Sequence, residues 1–164
     1  MLFRSDASRR THGTLGDEVA MLQRYLQLMQ VRMGTRLRTV WDIDPNLLSQ
    51  PVAPLLLQPL VENAIKYGLE PKIEGGSICI RASRLGERIR IEVQDNGNGL
   101  PASPAARQPV TGGSGTGLKN VLARLRSTRG ESATLSVANT PEGCLACIEF
   151  DAHTTVPPLH HAAL

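Results

Sequence analysis

Three short glycine-bearing segments stand at the junctions of patterned stretches in this chain, and their order limits how it can fold. VENAIKYG (residues 61–68) closes an apolar stretch of helical length, DNGNG (95–99) follows a strand-like alternation, and GGSGTG (112–117) opens a helical stripe. Between them the patterning is regular. Leu37, Thr39, Trp41 and Ile43 alternate over 36–44 up to Pro45, which predicts a strand. After Pro51 and Pro54, residues 55–67 predict a helix with Gly68 as its stop. Residues 77–83 and 88–94 alternate on either side of Leu85, Gly86 and Glu87, the pattern of a β-hairpin. Leu118, Val121, Leu122 and Leu125 predict a helix over 118–128, and 133–138 and 144–150 read as strands joined by residues 140–143. The order β, α, β-β, loop, α, β-β predicts an α/β fold, a two-layer α/β sandwich.

Ahead of this lies a different pattern. Leu15, Val19, Leu22, Leu26, Met29 and Met33 are spaced four, three, four, three and four, a heptad seam that wants something to cover it. The cover is open: either the chain's own domain or a helical bundle formed with another domain or another molecule. Gly34 ends the helix. Residues 101–113, rich in Pro, Ala, Ser and Gly, predict a lid-like loop, and the tail HTTVPPLHHAAL has no pattern and is expected to be disordered. The expected division is 1–35, an N-terminal helix; 36–151, a folded domain; and 152–164, the tail.

Length and composition exclude several classes. At 164 residues the chain has room for one core, burying roughly 70% of its unfolded surface. A net charge of +3, scattered arginines and only one Trp, two Tyr and two Phe argue against nucleic acid as the main ligand. No apolar run approaches the roughly 18 residues of a membrane-crossing helix, and residues 1–10 are too charged for a signal peptide. Cys79, Cys144 and Cys147 cannot all pair, which fits a reducing compartment. Cys144 and Cys147 spell C-x-x-C, but within a strand residues three apart face opposite sides, so buried thiols are expected rather than a zinc or redox site.

The three motifs together describe a nucleotide site. An Asn and a Glu on a helix can serve a metal and phosphates, a carboxylate among glycines can meet a base edge, and a glycine-rich segment opening a helix offers free N–H groups to phosphate. GGSGTG is not a P-loop: Gly112 and Gly117 have the right gap, but Leu118 stands where Lys is required and Lys119 comes one place late. Nor is it a dinucleotide fingerprint, since Gly113, Gly115 and Gly117 lack the G-x-G-x-x-G spacing. DNGNG is not an EF-hand loop, with Gly97 at its third position and Ala106 at its twelfth. Together the three motifs point to ATP.

In this order and spacing, VENAIKYG, DNGNGL and GGSGTGLKNV resemble the three sequence boxes of the Bergerat-fold ATP-binding domain shared by gyrase, Hsp90, histidine kinases and MutL. The longer phrase VAPLLLQPLVENAIKYG, preceded by YLQLMQVRMGTRL, is similar to the LytS/AlgZ branch of sensor histidine kinases, over about residues 15–150. The resemblance implies a mixed sheet with helices on one face. It implies that Asn63 coordinates Mg²⁺ bridging the phosphates, that Glu62 orients or polarises a group near the γ-phosphate, and that Lys66 offsets phosphate charge. Asp95 would accept a hydrogen bond from the adenine amino group, with Gly97 and Gly99 leaving room for the ring and Tyr67 packing nearby. Gly113, Gly115, Thr116 and Gly117 would let the lid wrap the triphosphate, and Leu118 would pack behind. Many histidine kinases carry an additional Asn four residues before the metal-binding one; here Pro59 stands there, as is expected in the LytS-like branch, leaving one fewer metal-side ligand.

The resemblance also implies an acceptor His within a phrase like P-H-F-L-F-N on a dimerisation hairpin. None of His12, His153, His160 and His161 has that context. The chain is therefore expected to be a fragment: the ATP-binding part of a sensor histidine kinase, holding Mg-ATP for a hairpin absent here, with residues 15–33 a remnant of that hairpin or a connector to it. In the full-length protein the resemblance implies a homodimer, a membrane-anchored sensor with this domain in the cytoplasm, and a response regulator partner of LytTR type, with no direct nucleic-acid contact by this chain. Two other readings compete. An anti-sigma-factor-type serine kinase shares the fold but usually lacks the long heptad helix, and a non-catalytic nucleotide-binding dimerisation module would use the site for structure alone. A MutL- or gyrase-type ATPase would need a further domain for which 164 residues leave no room.

Overall fold

The structure, a computed structural model, describes residues 13–98, 108–109 and 116–153. The predicted lid over 101–113, apart from 108–109, and the tail beyond His153 lie outside the described residues.

The elements run β1 (Gly13–Thr14), α1 (Leu15–Met33), β2 (Leu37–Ile43), β3 (Pro51–Val52), α2 (Gln58–Asn63) continued by a π-helical turn (Ala64–Leu69), β4 (Gly76–Leu85), β5 (Arg88–Asp95), β6 (Gln108–Pro109), α3 (Thr116–Arg129), β7 (Thr134–Asn139) and β8 (Cys144–Asp151). The main sheet has the order β2-β4-β5-β8-β7-β6, with β2 parallel to β4 and the other pairs antiparallel. It is the expected mixed sheet. A separate two-stranded pair joins β1 to β3.

The alternation in the sequence decides which face is covered. Ile78, Ile80 and Ala82 of β4, Ile89, Ile91 and Val93 of β5, and Ile148 and Phe150 of β8 are buried on one side with Leu60, Val61, Val121, Leu122 and Leu125 from the helices, in one contiguous core. The opposite face carries ion pairs: Arg81 with Asp42 and Glu92, Arg90 with Glu149, and Arg88 with Asp151. Cys144 pairs across from Asp95 and Cys147 from Glu92, so the two thiols lie on opposite faces; both are buried, while Cys79 is half-exposed.

Helix α1 begins with a reciprocal cap. The Thr14 hydroxyl accepts from Asp17 N–H at 3.2 Å, and the Asp17 carboxylate accepts from Thr14 N–H at 3.0 Å. Its seam is covered within the chain: Leu15, Leu22, Leu26 and Met33 are buried in the common core, with Val19 and Met29 packed against it and β2 and α2 as neighbours. Of the two covers left open above, the structure uses its own domain.

The helix expected over 55–67 is displaced at both ends. It starts at Gln58, because Leu55 takes the left-handed region at φ 60° and the Leu57 N–H is engaged elsewhere. It also runs past Gly68 to Leu69, with Glu70 N–H donating to Ile65 C=O at 2.8 Å, the five-residue step of a π-turn. Gly68 does not end this helix; its role is a close approach to β5.

Candidate functional site

Between α2, the end of β5, the start of α3 and β8 lies a cavity with a mostly apolar lining. Leu60, Asn63, Gly68, Asp95, Leu118 and Cys144 are among its walls. Each wall is placed by an element boundary. Asn63 is the last residue of α2, Asp95 the last of β5, Leu118 lies in the first turn of α3 and Cys144 opens β8.

Asp95 is the centre of the arrangement. It is 3% exposed, its Oδ1 accepts from Gly97 N–H at 2.9 Å, and no salt bridge reaches it among the described residues. Burial pushes its carboxyl above the usual range, while the Gly97 and Cys144 backbone N–H groups pull it back down. Two glycines let the chain close around it. A Cβ on Gly68 would stand 2.7 Å from Asp95 Oδ1, and one on Gly97 would stand 2.1 Å from the Gly68 carbonyl oxygen. Neither space is available to any other residue. The turn is fixed further by Asn98 N–H donating to Gly68 C=O at 3.0 Å, by Ser77 N–H donating to the Asn96 side chain at 2.7 Å, and by Lys72 Nζ donating to Asn96 C=O at 3.0 Å.

A buried carboxylate facing an apolar cavity, with only backbone donors behind it, is an acceptor waiting for a neutral donor on a flat apolar group. That chemistry fits the amino edge of adenine. At the other wall the half-buried Asn63 offers one amide oxygen. Among the described residues no three His, Cys, Asp or Glu side chains converge for a metal.

The structure brings together only some of the residues singled out in the sequence. Asn63, Asp95 and Leu118 share the cavity, and Gly97 supports Asp95 from behind. Glu62, Lys66 and Tyr67 lie outside its lining: Glu62 is exposed and accepts from Gln58 Nε2 at 3.1 Å, and Lys66 stacks over the Tyr67 ring at 5.1 Å from its centroid. Gly117 is exposed in the first turn of α3, which Thr116 begins. Gly99, Gly113 and Gly115 lie outside the described residues.

Residues 53–154 match the family described as histidine kinase-, DNA gyrase B-, and HSP90-like ATPase. The chain belongs to that family. It is 38% identical over 129 residues to the sensor histidine kinase BtsS of Escherichia coli K12, covering 79% of this chain and 22% of that protein. It is 33% identical over 138 residues to the sensor protein LytS of Oceanobacillus iheyensis, covering 80% and 24%. The chain thus spans less than a quarter of the length of these two relatives. In fold it is similar to the catalytic domain of histidine kinase ThkA, with a TM-score of 0.60 at 18% identity, covering 86% of this chain and 96% of that one. ThkA has also been solved in complex with the response regulator protein TrrA.

This histidine kinase-like ATPase domain is an ATP-binding domain of the sensor-kinase type, and its cavity holds residues that sequence reasoning did not single out as binding residues. The sequence pattern predicts Gly68 as a helix stop and Cys144 as a buried thiol, and both stand on the cavity wall. Burial and the nearby Asp95 carboxylate push the Cys144 thiol up to about 11, so at neutral pH it is an uncharged, apolar wall. Leu60, Ala64, Val93, Val137 and Ala146 complete the apolar lining. Their alternation marks a core face but not which part of it stays open.

Proposed function

We propose that this domain binds ATP by its adenine edge at Asp95 and presents the γ-phosphate, with Mg²⁺, to a histidine on a helical hairpin outside this chain. The observation that carries the reading is the buried Asp95 carboxylate, which among the described residues has backbone donors and no ion pair, with Gly68 and Gly97 closing around it. Bound Mg-ATP would supply the transferable phosphoryl group, with the metal neutralising its charge. The chain's own part is positioning. Asn63 would hold the metal through its amide oxygen, and Leu118, Leu60 and Cys144 would exclude water from the purine. Glu62, exposed beside Asn63, would orient a group approaching the γ-phosphate from outside. Lys66 and Tyr67, also exposed, border the same end of the helix, where Lys66 would offset phosphate charge. Gly113, Gly115, Thr116 and Gly117 would close over the phosphates from the start of α3, and Gly99 would leave room for the ring.

The names of the relatives support a sensor kinase; the wider setting of the proposal is a membrane-anchored sensor with this domain in the cytoplasm, acting as a homodimer toward a response regulator of LytTR type. Residues 1–35 would form the connector, 36–151 the ATP-binding domain and 152–164 the tail.

Thermal unfolding with and without nucleotide tests the reading. ADP at about 100 times its Kd should add about 2.7 kcal/mol, a rise in Tm of roughly 5–10 °C for a domain of this size. Asp95→Asn should weaken binding by about tenfold or more, since an amide presents a donor where the carboxylate accepted. No shift in the parent at millimolar ADP would remove the reading altogether.

A further inference from the structure

Glu18 is a carboxylate on the covered face of α1, 2% exposed, and it plays no part in the cavity. Its two oxygens are both occupied by backbone: Oε1 accepts from Leu55 N–H at 2.6 Å and Oε2 from Leu57 N–H at 3.1 Å. Leu57 is the residue that caps α2, and no side chain of α2 itself supplies that cap. Glu18 is thus a remote cap. A helix some forty residues earlier in the chain provides the negative charge that the start of α2 wants.

The segment it holds is under strain. Leu55 is the one non-glycine with positive φ among the described residues, at 60°, a region costly for a side chain branched like leucine. Such a conformation persists only where the surroundings impose it. The imposition comes from both flanking helices. From α1, besides Glu18, Leu15 N–H donates to Gln50 C=O at 2.9 Å and Gly16 N–H to Leu48 C=O at 2.8 Å. From α3, Arg124 donates to Pro54 C=O and Arg129 to Pro51 C=O, each at 3.4 Å. A carboxylate thus takes the N–H groups of the segment, and guanidinium groups take its carbonyls.

We propose that Glu18 is a positioning residue for the nucleotide site: by holding Leu55 and Leu57 it sets where α2 begins, and with that where Asn63 stands at the cavity wall. Helix α2 is only six residues long from Gln58 to Asn63, so a shift of its start is not absorbed before the site. The same segment touches α3, which carries Leu118, and both cavity-lining helices therefore take their position from one junction tied to α1. This rests on the nucleotide reading above.

The test is ADP affinity by calorimetry on the full chain, with Tm measured in parallel without nucleotide. Glu18→Gln offers one oxygen to two N–H donors and is expected to weaken ADP binding by about tenfold. Adding Leu55→Gly, which relieves the positive φ, should return most of that affinity, because the segment then keeps its path without being held. Ile89→Val, a small core deletion at the far end of β5, should lower Tm and leave ADP affinity unchanged. Affinity within twofold of the parent in Glu18→Gln, or a loss in Ile89→Val equal to it at matched Tm, would overturn the proposal. Should Glu18→Gln fail to fold, Arg124→Ala decides on the exposed side of the junction: about a threefold weakening supports the proposal and parent affinity overturns it. A parent that binds no ADP removes the nucleotide reading and this inference together, whereas a parent that binds with Glu18→Gln unchanged removes only this one.

Discussion

Asp95 illustrates what one buried acid does to a domain before and after its ligand arrives. Burial raises its folded-state pKa above the ordinary 3.8, against the pull of two backbone N–H groups. Between those two values the folded state holds more protons than the unfolded chain. The contribution to stability is therefore fully present below the ordinary value and is lost as pH rises through the raised one. On the proposed adenine contact, nucleotide binding would run the other way, because a donor on the ligand would need the ionised carboxylate. Across that window, falling pH should raise the Tm of the nucleotide-free domain relative to Asp95→Asn and shrink the extra stabilisation given by ADP. Unfolding scans with and without ADP on both proteins check this; an ADP-induced shift in the parent that stays constant through acid pH would contradict it. Asp95 was legible in the sequence because a strand alternation runs straight into D-N-G-N-G. Gly68 and Cys144 were not, since what makes them walls is their closeness to Asp95, residues 27 and 49 places away in the chain.

Among the elements, α1 is the informative case. Its heptad spacing revealed which side is apolar and said nothing about what covers that side, since any partner helix or sheet satisfies the same period. In the structure Leu22 is 0% exposed and shares a core with α2 and the sheet, so α1 should melt with the domain and not before it. Leu22→Ala should cost about 3–5 kcal/mol, lowering Tm by roughly 10 °C, with a single transition by both fluorescence and circular dichroism. A normal Tm in that variant would mean that α1 is detached in solution. The strands needed no such help: the hairpin of β4 and β5 and the pairing of β7 with β8 followed from period-two alternation and turn residues. The π-turn at Ala64–Leu69 left no local signal. It lies beyond Leu55 and Leu57, held by Glu18, and contains Gly68, which lies close against Asp95, both tertiary contacts.

At the scale of the whole molecule, the question is whether a nucleotide-holding domain can act on itself. The acceptor would have to be a histidine near the γ-phosphate. His153, the one histidine among the described residues, pairs with Glu87 beside the turn that starts β5, while Asp95 ends that strand. The eight residues of the strand make seven steps of about 3.3 Å, so its two ends stand roughly 23 Å apart, more than a triphosphate would reach from the proposed adenine contact at Asp95. Phosphoryl transfer depends on in-line placement, and effective concentration at such a distance is no help. The chain incubated with Mg²⁺ and γ-labelled ATP should therefore leave His153 unlabelled and, on the proposed function, label a separately supplied helical hairpin bearing a histidine. Asn63→Ala should lower that transfer by about a hundredfold or more, as loss of a group that acts at the developing charge does, with Tm within a few degrees of the parent because Asn63 is only half-buried. Label on His153 would contradict the distance argument, and parent-rate transfer by Asn63→Ala would remove Asn63 as the proposed metal ligand.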